Sequence, residues 1–423
     1  MKISVKELVK FVILYSIFMC TLVSEFHFPN SIYYLNDICV IILLFFIIKK
    51  SFWKKLKFIN CNFLNLWIVI FLLTIFIGII GNLVPIHLVL WGSRNTLRGL
   101  IFFLACILYF RFDDIKILMK IFIKIQYLNF AIGLYQYYIL GLFQDRLGGI
   151  FGHGNGNALC IFCVIVCSYS LLLYLNERRN MFDMLFCIIS SVILGILAEE
   201  KLLLIELLIM ILICIFICEK KYLKYIFLVF ILLFSSSIFN FLIEICPENM
   251  SVFKSFNEIN QYLSASWEGS YGIPRIGVFS FIKEKIFENK LFSTLFGFGI
   301  GNCDFSNFSF LISENYLKYG HYNYRWIFSQ WTLMELGIIG FTEIVILFIG
   351  FIVFLLIKYH KKCFYKYKTY MGMSIIVTFI CIITMWFNST LRTDTSYIPY
   401  FAISVGIICI KEIKLKKFNI IGG

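Results

Sequence analysis

Long apolar segments recur along the whole chain, and they limit its possible folds more than any other feature of the sequence. Each is about 17–25 residues long, which is the length that an α-helix needs to cross a bilayer core of about 30 Å. The segments are continuously apolar and do not alternate with polar residues, so a membrane-spanning β-barrel is excluded. Only 15% of the 423 residues are charged, against about 25% in a soluble domain. The sequence therefore predicts an all-α polytopic membrane protein.

The apolar segments predict about twelve transmembrane helices and one large external loop. Residues 1–243 contain the first nine helices, residues 244–328 form the external loop, and residues 329–423 contain the last three helices. The first segment lacks a small-residue cleavage site, so we interpret it as a retained helix and not as a removed signal peptide. The predicted spans are 8–24, 32–48, 63–81, 94–110, 117–143, 157–175, 184–198, 202–218, 225–243, 329–357, 371–387 and 396–410.

Lysine and arginine residues are concentrated in every second gap between these segments, from the N-terminal lysines to the group that includes Lys411 and Lys417. Because positive residues favour the cytoplasmic side of a membrane, these gaps and both termini are predicted to be cytoplasmic. The same bias accounts for most of the formal net charge of +14. We therefore expect no nucleic acid among the partners of this protein.

Five cations lie in or beside the outer gaps, where the topology rule disfavours positive charge: Arg94, Arg98, Arg146, Lys201 and Arg392. Cations near the bilayer usually face a cavity or a partner, because their burial is costly. Three of them have an acid within two residues, as in Asp145–Arg146, Glu200–Lys201 and Arg392–Asp394. Local ion pairs are thus one interpretation. The five cations together favour another, an anionic ligand with a lipid tail, because guanidinium groups bind phosphate oxygens in paired hydrogen bonds.

The external loop adds ionisable side chains that are candidates to contact a ligand: Arg275, Asp304, Glu314, His321 and Arg325. A histidine in a polar loop can act as a general base near neutral pH, although a lone loop histidine is more often a surface residue. The glycine-rich run LFGFGIGN predicts a turn, but no strand–helix unit surrounds it, as a nucleotide-binding fingerprint requires. The chain contains no metal-ligand motif either, so we expect neither a metal nor a nucleotide cofactor. A disulfide between Cys246 and Cys303 is left open.

The loop segment RIGVFSFIKEKIFENK, at 275–290, has an amphipathic pattern. Its helical stripe consists of Ile276, Phe279, Ile282 and Ile286. Two interpretations fit this pattern equally well: a helix that lies in the membrane interface, and a helix that packs on the protein's own external domain.

Four pieces of the chain, in this order, resemble the O-antigen ligase and repeat-unit polymerase (Wzy-type) superfamily. GLYQYYILGLFQDRLGGIFGHGNGNALC is similar to a glutamine-bearing span followed by an arginine and a small-residue turn, and LAEEKLLLIELL to a short outer turn with a basic residue. PRIGVFSFIKEKIFENKLFSTLFGFGIGN is similar to the family's loop arginine, amphipathic helix and Phe-Gly-x-Gly turn, and HYNYRWIFSQWTLMELGIIGF to the exit from the loop. The resemblance covers about residues 130–350 and implies a GT-C-like fold.

The resemblance implies that Arg146 and Arg275 hold the diphosphate of an undecaprenyl-linked donor, with Lys201 as a further basic residue. It assigns structural positions to Asn157, which opens a span, and to Gly297, Gly299 and Glu335. The substrate-binding candidates taken from their outer location are Arg94, Arg98, Arg325 and Arg392.

The chain departs from the family at its expected catalytic histidine. Many members carry a His-Asn pair about nine residues before the glutamate, where this chain has Trp326. His321 lies fourteen residues before Glu335, so either the histidine has moved within the loop or another group is the base. His321 and Asp304 are the two candidates for that base.

The resemblance further implies a metal-independent glycosyltransferase in a bacterial inner membrane, with its active face outward. It would polymerise O-antigen or capsular repeat units by transferring the growing glycan from undecaprenyl diphosphate to a sugar hydroxyl of a new lipid-linked unit. A flippase and a chain-length regulator are implied partners beside the bilayer and the lipid-linked oligosaccharide. One alternative is an O-antigen ligase that transfers glycan to lipid A core. Another is a flippase or transporter, which the absence of symmetry between the halves of the sequence disfavours.

Overall fold

The computed structural model describes residues 4–49, 62–177, 180–218 and 272–421, together with five isolated residues between 255 and 264. Over these residues the chain forms fourteen α-helices and contains no β-strand, which confirms the all-α prediction for this part of the molecule. The helices are α1 (Val5–Ser24), α2 (Tyr34–Lys49), α3 (Asn62–Gly81), α4 (Ile86–Tyr109), α5 (Phe112–Tyr138), α6 (Gly156–Glu177), α7 (Met181–Leu197), α8 (Lys201–Ile217), α9 (Val278–Phe281), α10 (Leu291–Phe296), α11 (Glu314–Tyr319), α12 (Phe328–Tyr359), α13 (Lys368–Thr384) and α14 (Tyr397–Ile421).

Seven helical segments are long and apolar enough to cross a membrane, which supports a membrane-embedded protein. They are α1, α3, α5, α6 and α12, together with α2 and α13 extended by their preceding turns to Asn30–Lys49 and Lys362–Thr384. Helices α4, α7, α8 and α14 lie over four further predicted spans. The predicted span 225–243 lies outside the described residues, and the total of twelve crossings stays a prediction.

The core of the bundle is built around α6 and α13. In α6, 94% of the apolar stretch is buried inside the protein, and in α13 with its preceding turn 83% is buried. In α2 and α3 only 33% is buried, so most of their apolar surface lies on the outside of the bundle. Large exposed apolar surfaces of this kind mark contact with a membrane or a partner.

The N-terminal segment and α14 both contact the junction between α4 and α5. Lys6 Nζ lies 2.5 Å from a carboxylate oxygen of Asp114, at the start of α5. Lys411 Nζ donates to the backbone carbonyl of Phe110 at 2.6 Å, which joins α14 to the end of α4.

The predicted amphipathic segment at 275–290 forms α9 and a π-helical turn over Ile282–Ile286. Ile282 and Ile286 are buried as expected, but Ile276 is exposed, so the predicted stripe was wrong at its first position. The ring of Phe279 lies 5.7 Å from that of Phe341 in α12. These contacts favour the second interpretation, in which this helix packs on the rest of the protein.

Helix α12 is interrupted at Gly337, where φ is 65° and the backbone is not helical. The glycine-rich turn at 297–301 fills the interruption, because Phe298 N–H donates to the carbonyl of Met334 at 2.8 Å and the next N–H donates to the next carbonyl at 3.0 Å. A β-carbon at Gly337 would overlap the backbone just before this turn. The close approach therefore requires glycine, and it fixes the external turn against the first part of α12.

Candidate anion-binding site

The structure contains a cavity of about 340 Å³. It lies between the third and fourth turns of α4, the segment from α11 to the start of α12, and the loop before α14. Its lining residues are Arg94, Asn95, Arg98, Tyr316, Gly320, Asn323, Arg325, Trp326, Trp331, Ser389, Arg392, Thr393 and Asp394. Four of these are arginines, contributed by α4, the external segment and the loop before α14.

Arg392 is the most buried of these arginines, with 2% of its surface exposed. Its Nη2 donates to the carboxylate of Glu335 and to Thr96 Oγ1, the latter at 2.7 Å. The guanidinium lies 3.9 Å from the centre of the Trp331 ring. Nε and Nη1 are buried and have no hydrogen-bond partner among the described residues. Arg392 thus lines the cavity and keeps two buried nitrogens without a partner among the described residues.

Glu335, the partner of Arg392, lies two residues before the interruption of α12 at Gly337. It is fully buried, and its Oε1 accepts a hydrogen bond from Gly301 N–H at 3.1 Å. Its Oε2 accepts from Arg392, so both carboxylate oxygens have partners. A buried carboxylate needs a paired cation to offset its lost hydration. Glu335 and Arg392 therefore compensate each other's charge inside the bundle.

Arg98 and Arg94 lie one turn apart on α4 and share a carboxylate of α2. Asp37 is buried, with its two oxygens 3.4 Å from Arg98 Nη1 and 3.4 Å from Arg94 Nη1. Arg98 also donates to Asp394 and to the backbone carbonyl of Arg392, while its Nε has no hydrogen-bond partner among the described residues. Two carboxylates, those of Asp37 and Asp394, therefore compensate the positive charge of Arg98.

Arg325 comes from the external segment and is positioned by Asp304. Asp304 is fully buried, and its Oδ1 lies 3.2 Å from Arg325 Nη2. Its Oδ2 accepts from the side chain of Asn95 in α4, so the acid links the external segment to the membrane bundle. The guanidinium of Arg325 lies 4.8 Å from the centre of the Trp331 ring, which also contacts Arg392. One tryptophan thus orders two cations beside the cavity.

The charges around the cavity are arranged in two layers. Four arginines and one carboxylate, Asp394, are among the lining residues. The three other acids, Asp37, Asp304 and Glu335, are buried behind the arginines that they contact. An unpartnered buried donor costs about 1–3 kcal/mol, and an anion would supply the missing acceptors. The arrangement fits an anion with several oxygen atoms, such as a phosphate or diphosphate.

Two ionisable groups beside the cavity are kept neutral by burial. Burial raises the pKa of the Tyr324 phenol well above its ordinary value, and its hydroxyl donates to the Cys303 carbonyl at 2.7 Å. Burial also raises the pKa of the Cys303 thiol, and the nearby Glu335 and Asp304 add to this effect. Neither group is ionised near neutral pH, so neither adds negative charge to the cavity. Cys303 carries a free thiol, and Cys246 lies outside the described residues.

The structure brings four of the predicted substrate-binding residues together, namely Arg94, Arg98, Arg325 and Arg392. The other three are not among the lining residues. Arg146 is exposed in a turn between α5 and α6, Lys201 begins α8, and Arg275 lies 5.6 Å from the Phe387 ring.

The other predicted site residues have different surroundings. His321 is exposed, and its ring centre lies 4.1 Å from that of Tyr322. His321 does not line the cavity, although its sequence neighbours Gly320 and Asn323 do. The glycines of the turn, Gly297 and Gly299, both have positive φ. Asn157 does not precede its helix, because α6 begins at Gly156, so it lies within the first helical turn.

Trp331 and Asp37 were not predicted as site residues. Asp304 and Glu335 were named from the sequence, but not as the partners of Arg325 and Arg392. Asp37 could have been identified from the sequence, because an aspartate inside a predicted span implies a buried cationic partner. Trp331 lies at the edge of an apolar span, where tryptophan is common for other reasons.

Within the described ranges, no group of three or more histidine, cysteine, aspartate or glutamate side chains is placed to hold a metal ion. No protein-family model matches this chain, and no curated protein matches it.

Proposed function

We propose that this protein is a membrane-embedded glycosyltransferase that polymerises oligosaccharide repeat units linked to a polyprenyl diphosphate. The growing glycan would leave its lipid diphosphate and join a hydroxyl of the terminal sugar on a new lipid-linked unit. The observation that carries the proposal is the cavity with its four arginines, whose counter-ions lie behind them. A lipid diphosphate combines the two properties that this location favours, an anionic head and an apolar tail.

The arginines suit the leaving group of this reaction. When the bond between the sugar and the diphosphate breaks, negative charge increases on the diphosphate oxygens. Pre-organised donors in a site shielded from water stabilise such charge strongly. Arg392 supplies two unpartnered nitrogens, and Arg98 and Arg325 supply one Nε each, within the described part of the chain. Their guanidinium planes can bind phosphate oxygens in pairs, which an ammonium group cannot do.

An apolar surface beside the cavity supports a lipid-linked substrate. Ile86 and Leu90 are strongly exposed at the start of α4, the helix that carries Arg94, and Leu83 is strongly exposed just before it. Trp91 Nε1 donates to the carbonyl of Phe305 at 3.0 Å and so joins this surface to the external segment. A polyprenyl chain along this surface would enter from the bilayer while its diphosphate reaches the arginines.

The remaining lining residues are suited to sugars. Trp326 is exposed at the rim, and an exposed aromatic face can pack on the apolar face of a sugar ring. The cavity lining also includes the neutral side chains of Asn323, Ser389 and Thr393. These side chains can donate to and accept from sugar hydroxyls. The first sugar of the donor would then lie between this polar side and the arginines.

The resemblance to the O-antigen ligase and repeat-unit polymerase superfamily supports the same reaction class. The resemblance implies that Arg146 and Arg275 bind the diphosphate, whereas we propose that the arginines of the cavity bind it. The ligase reaction uses the same donor and differs only in its acceptor, so the cavity alone favours neither enzyme. We prefer the polymerase because the histidine pattern departs from the ligase-like form.

Deletion of the protein in its host cell, followed by glycan analysis, tests the proposal. A missing polymerase should leave lipid-linked and surface glycan one repeat unit long. Long lipid-linked chains that are not transferred to their final acceptor would indicate the ligase. Unchanged chain lengths and unchanged attachment would overturn both readings.

Binding measurements test the cavity separately. The full-length protein in nanodiscs should bind inorganic pyrophosphate and undecaprenyl diphosphate, with the lipid form tighter. Substitution of Arg392 should weaken both. Equal weak binding of pyrophosphate and chloride would argue against a diphosphate site.

A further inference from the structure

Asp394 is the one carboxylate among the residues that line the cavity. Its side chain is 34% exposed, whereas Asp37, Asp304 and Glu335 are buried behind the arginines. It lies in the loop between α13 and α14, two residues after Arg392. A substrate in the cavity would therefore meet this carboxylate directly.

The position of Asp394 is fixed through one of its two oxygens. Its Oδ1 accepts from Arg98 Nη1, and Arg98 is itself anchored by Asp37 and by the backbone carbonyl of Arg392. An ionised carboxylate has about four acceptor positions. The second oxygen of Asp394 has no hydrogen-bond partner among the described residues, so it can accept from a hydroxyl group. Asp394 thus combines a fixed location with a free acceptor atom.

We infer that Asp394 is the general base that takes the proton of the acceptor hydroxyl, an inference that rests on the proposed function. The acceptor oxygen forms a bond to the anomeric carbon of the donor sugar as the bond from that carbon to the diphosphate oxygen breaks. The diphosphate leaves with the electron pair, beside the arginines. The hydroxyl proton passes to Asp394, which later releases it to water or to the departing diphosphate.

The other candidate bases are less suitably placed. Asp304 is fully buried, and both of its oxygens already accept hydrogen bonds. Glu335 is fully buried and also uses both oxygens. His321 is exposed and is not among the lining residues. Among the described acids and histidines, Asp394 has the best access to a substrate in the cavity.

Removing the charge of Asp394 should leave the fold intact. Arg98 keeps Asp37 as a buried counter-ion, so an asparagine at 394 does not leave it without an acid. The loss of one carboxylate also makes the cavity more positive. We therefore expect Asp394→Asn to bind pyrophosphate at least as tightly as the wild type does.

Membranes of the deletion strain provide a substrate for the test, because they should accumulate single lipid-linked units. Purified full-length protein is added, and polymer formation is followed by gel electrophoresis of the released glycan. Asp394→Asn should form polymer at least about 100-fold more slowly than the wild type, since a general base contributes about 10²–10⁴-fold to the reaction rate. Its pyrophosphate affinity should be retained.

Chemical rescue separates a base from a structural group. In Asp394→Gly, added formate should restore part of the polymer formation, because a small carboxylate can occupy the vacated space. The matched control is Asp304→Gly, where a lost structural contact should not be restored by formate. Recovery in the first variant alone supports the assignment.

The outcomes distinguish this inference from the proposed function. Wild-type protein that forms no polymer and binds no pyrophosphate would overturn the proposed function and the inference with it. Wild-type polymer formation with an equally fast Asp394→Asn would leave the proposed function standing and remove Asp394 as the base. Slow Asp394 variants that also lose pyrophosphate binding, without formate rescue, would equally overturn the assignment.

Discussion

The basic residues of the arginine cavity and of the turn at 144–156 have different surroundings. In the cavity, Arg392 is almost fully buried and two of its nitrogens lack a partner among the described residues. In the turn, Arg146 is exposed. Exposed charges interact weakly because water and salt screen them, whereas buried charges interact strongly. An outer cation is thus a strong ligand candidate when the fold also removes it from water.

The polar groups of the turn are occupied by internal contacts. The Gln136 side chain donates to the Gly149 carbonyl at 3.0 Å and accepts from its N–H at 2.8 Å. The Glu25 carboxylate lies 2.8 Å from His153 Nε2 and also accepts from Gln136. These contacts dock the turn on α1 and α5. Gln136 and His153 therefore have a structural role, in contrast to the unpartnered donors of the arginines that line the cavity.

The largest effect is expected from Arg392→Gln. It leaves Glu335 buried without its cation, which should lower the free energy of unfolding by about 3–5 kcal/mol. It also removes a charged donor group whose hydrogen bonding to the ligand is worth about 1.5–3 kcal/mol in all, so pyrophosphate affinity should fall about ten- to hundredfold. Thermal unfolding and calorimetric titration of the full-length protein measure the two effects.

A double variant separates those two effects of Arg392. Arg392→Gln combined with Glu335→Gln removes the cation and its buried partner together, so stability should recover in part. Pyrophosphate affinity should stay low because the donors are still missing. Wild-type affinity in either variant would show that the cavity does not hold the diphosphate.

A second prediction concerns the glycine-rich turn that supports the cavity. A β-carbon at Gly301, where φ is 80°, would overlap the backbone carbonyl of Leu88 in α4. Gly301→Ala should therefore destabilise the protein by about 2–3 kcal/mol, through backbone strain and overpacking. The matched control is Gly141→Ala, where φ is 63° but no atom lies within 4 Å of the added carbon. An equal loss in the two variants would mean that strain alone matters and that the turn is not tightly packed on α4.

A third prediction concerns the internal contacts of the other region. Gln136→Ala leaves the buried backbone N–H of Gly149 without its acceptor, while the Gly149 carbonyl keeps the N–H of Gly152. The unpartnered N–H should cost about 1–3 kcal/mol of stability. Pyrophosphate affinity should not change, because the turn is separate from the cavity lining. Gln144→Ala, at an exposed glutamine of the same turn, should change neither quantity. Loss of pyrophosphate binding in Gln136→Ala would connect the turn to the anion site.

Much of the fold was predictable because apolar length is a local property of the sequence. Helices lie over every predicted span that falls within the described residues. The cations of the cavity were also named from the sequence, since topology makes an arginine in an outer gap unusual. The interruption at Gly337 was not predicted, because it depends on a turn some forty residues earlier that fits against α12.

The ion pairs were the least predictable part of the site. Asp394 was considered as the partner of Arg392, its near neighbour in sequence. In the structure Arg392 pairs with Glu335, and Asp394 pairs with Arg98 on α4. Such pairs join helices that are distant in sequence, so only the packing of the bundle determines them. The same holds for Trp331, whose contacts with two arginines no local pattern reveals.

The smallest effect is expected from Arg146→Gln, and it is the sharpest test of the contrast between the two regions. Arg146 is exposed and belongs to the turn, so its substitution should leave stability and pyrophosphate affinity nearly unchanged. The family resemblance predicts the opposite, a large loss of diphosphate binding. Parallel titrations of Arg146→Gln and Arg392→Gln against pyrophosphate decide between them. A loss at Arg146 as large as that at Arg392 would place the diphosphate at the turn, or between the two regions, and burial would no longer separate ligand-binding from surface arginines in this protein.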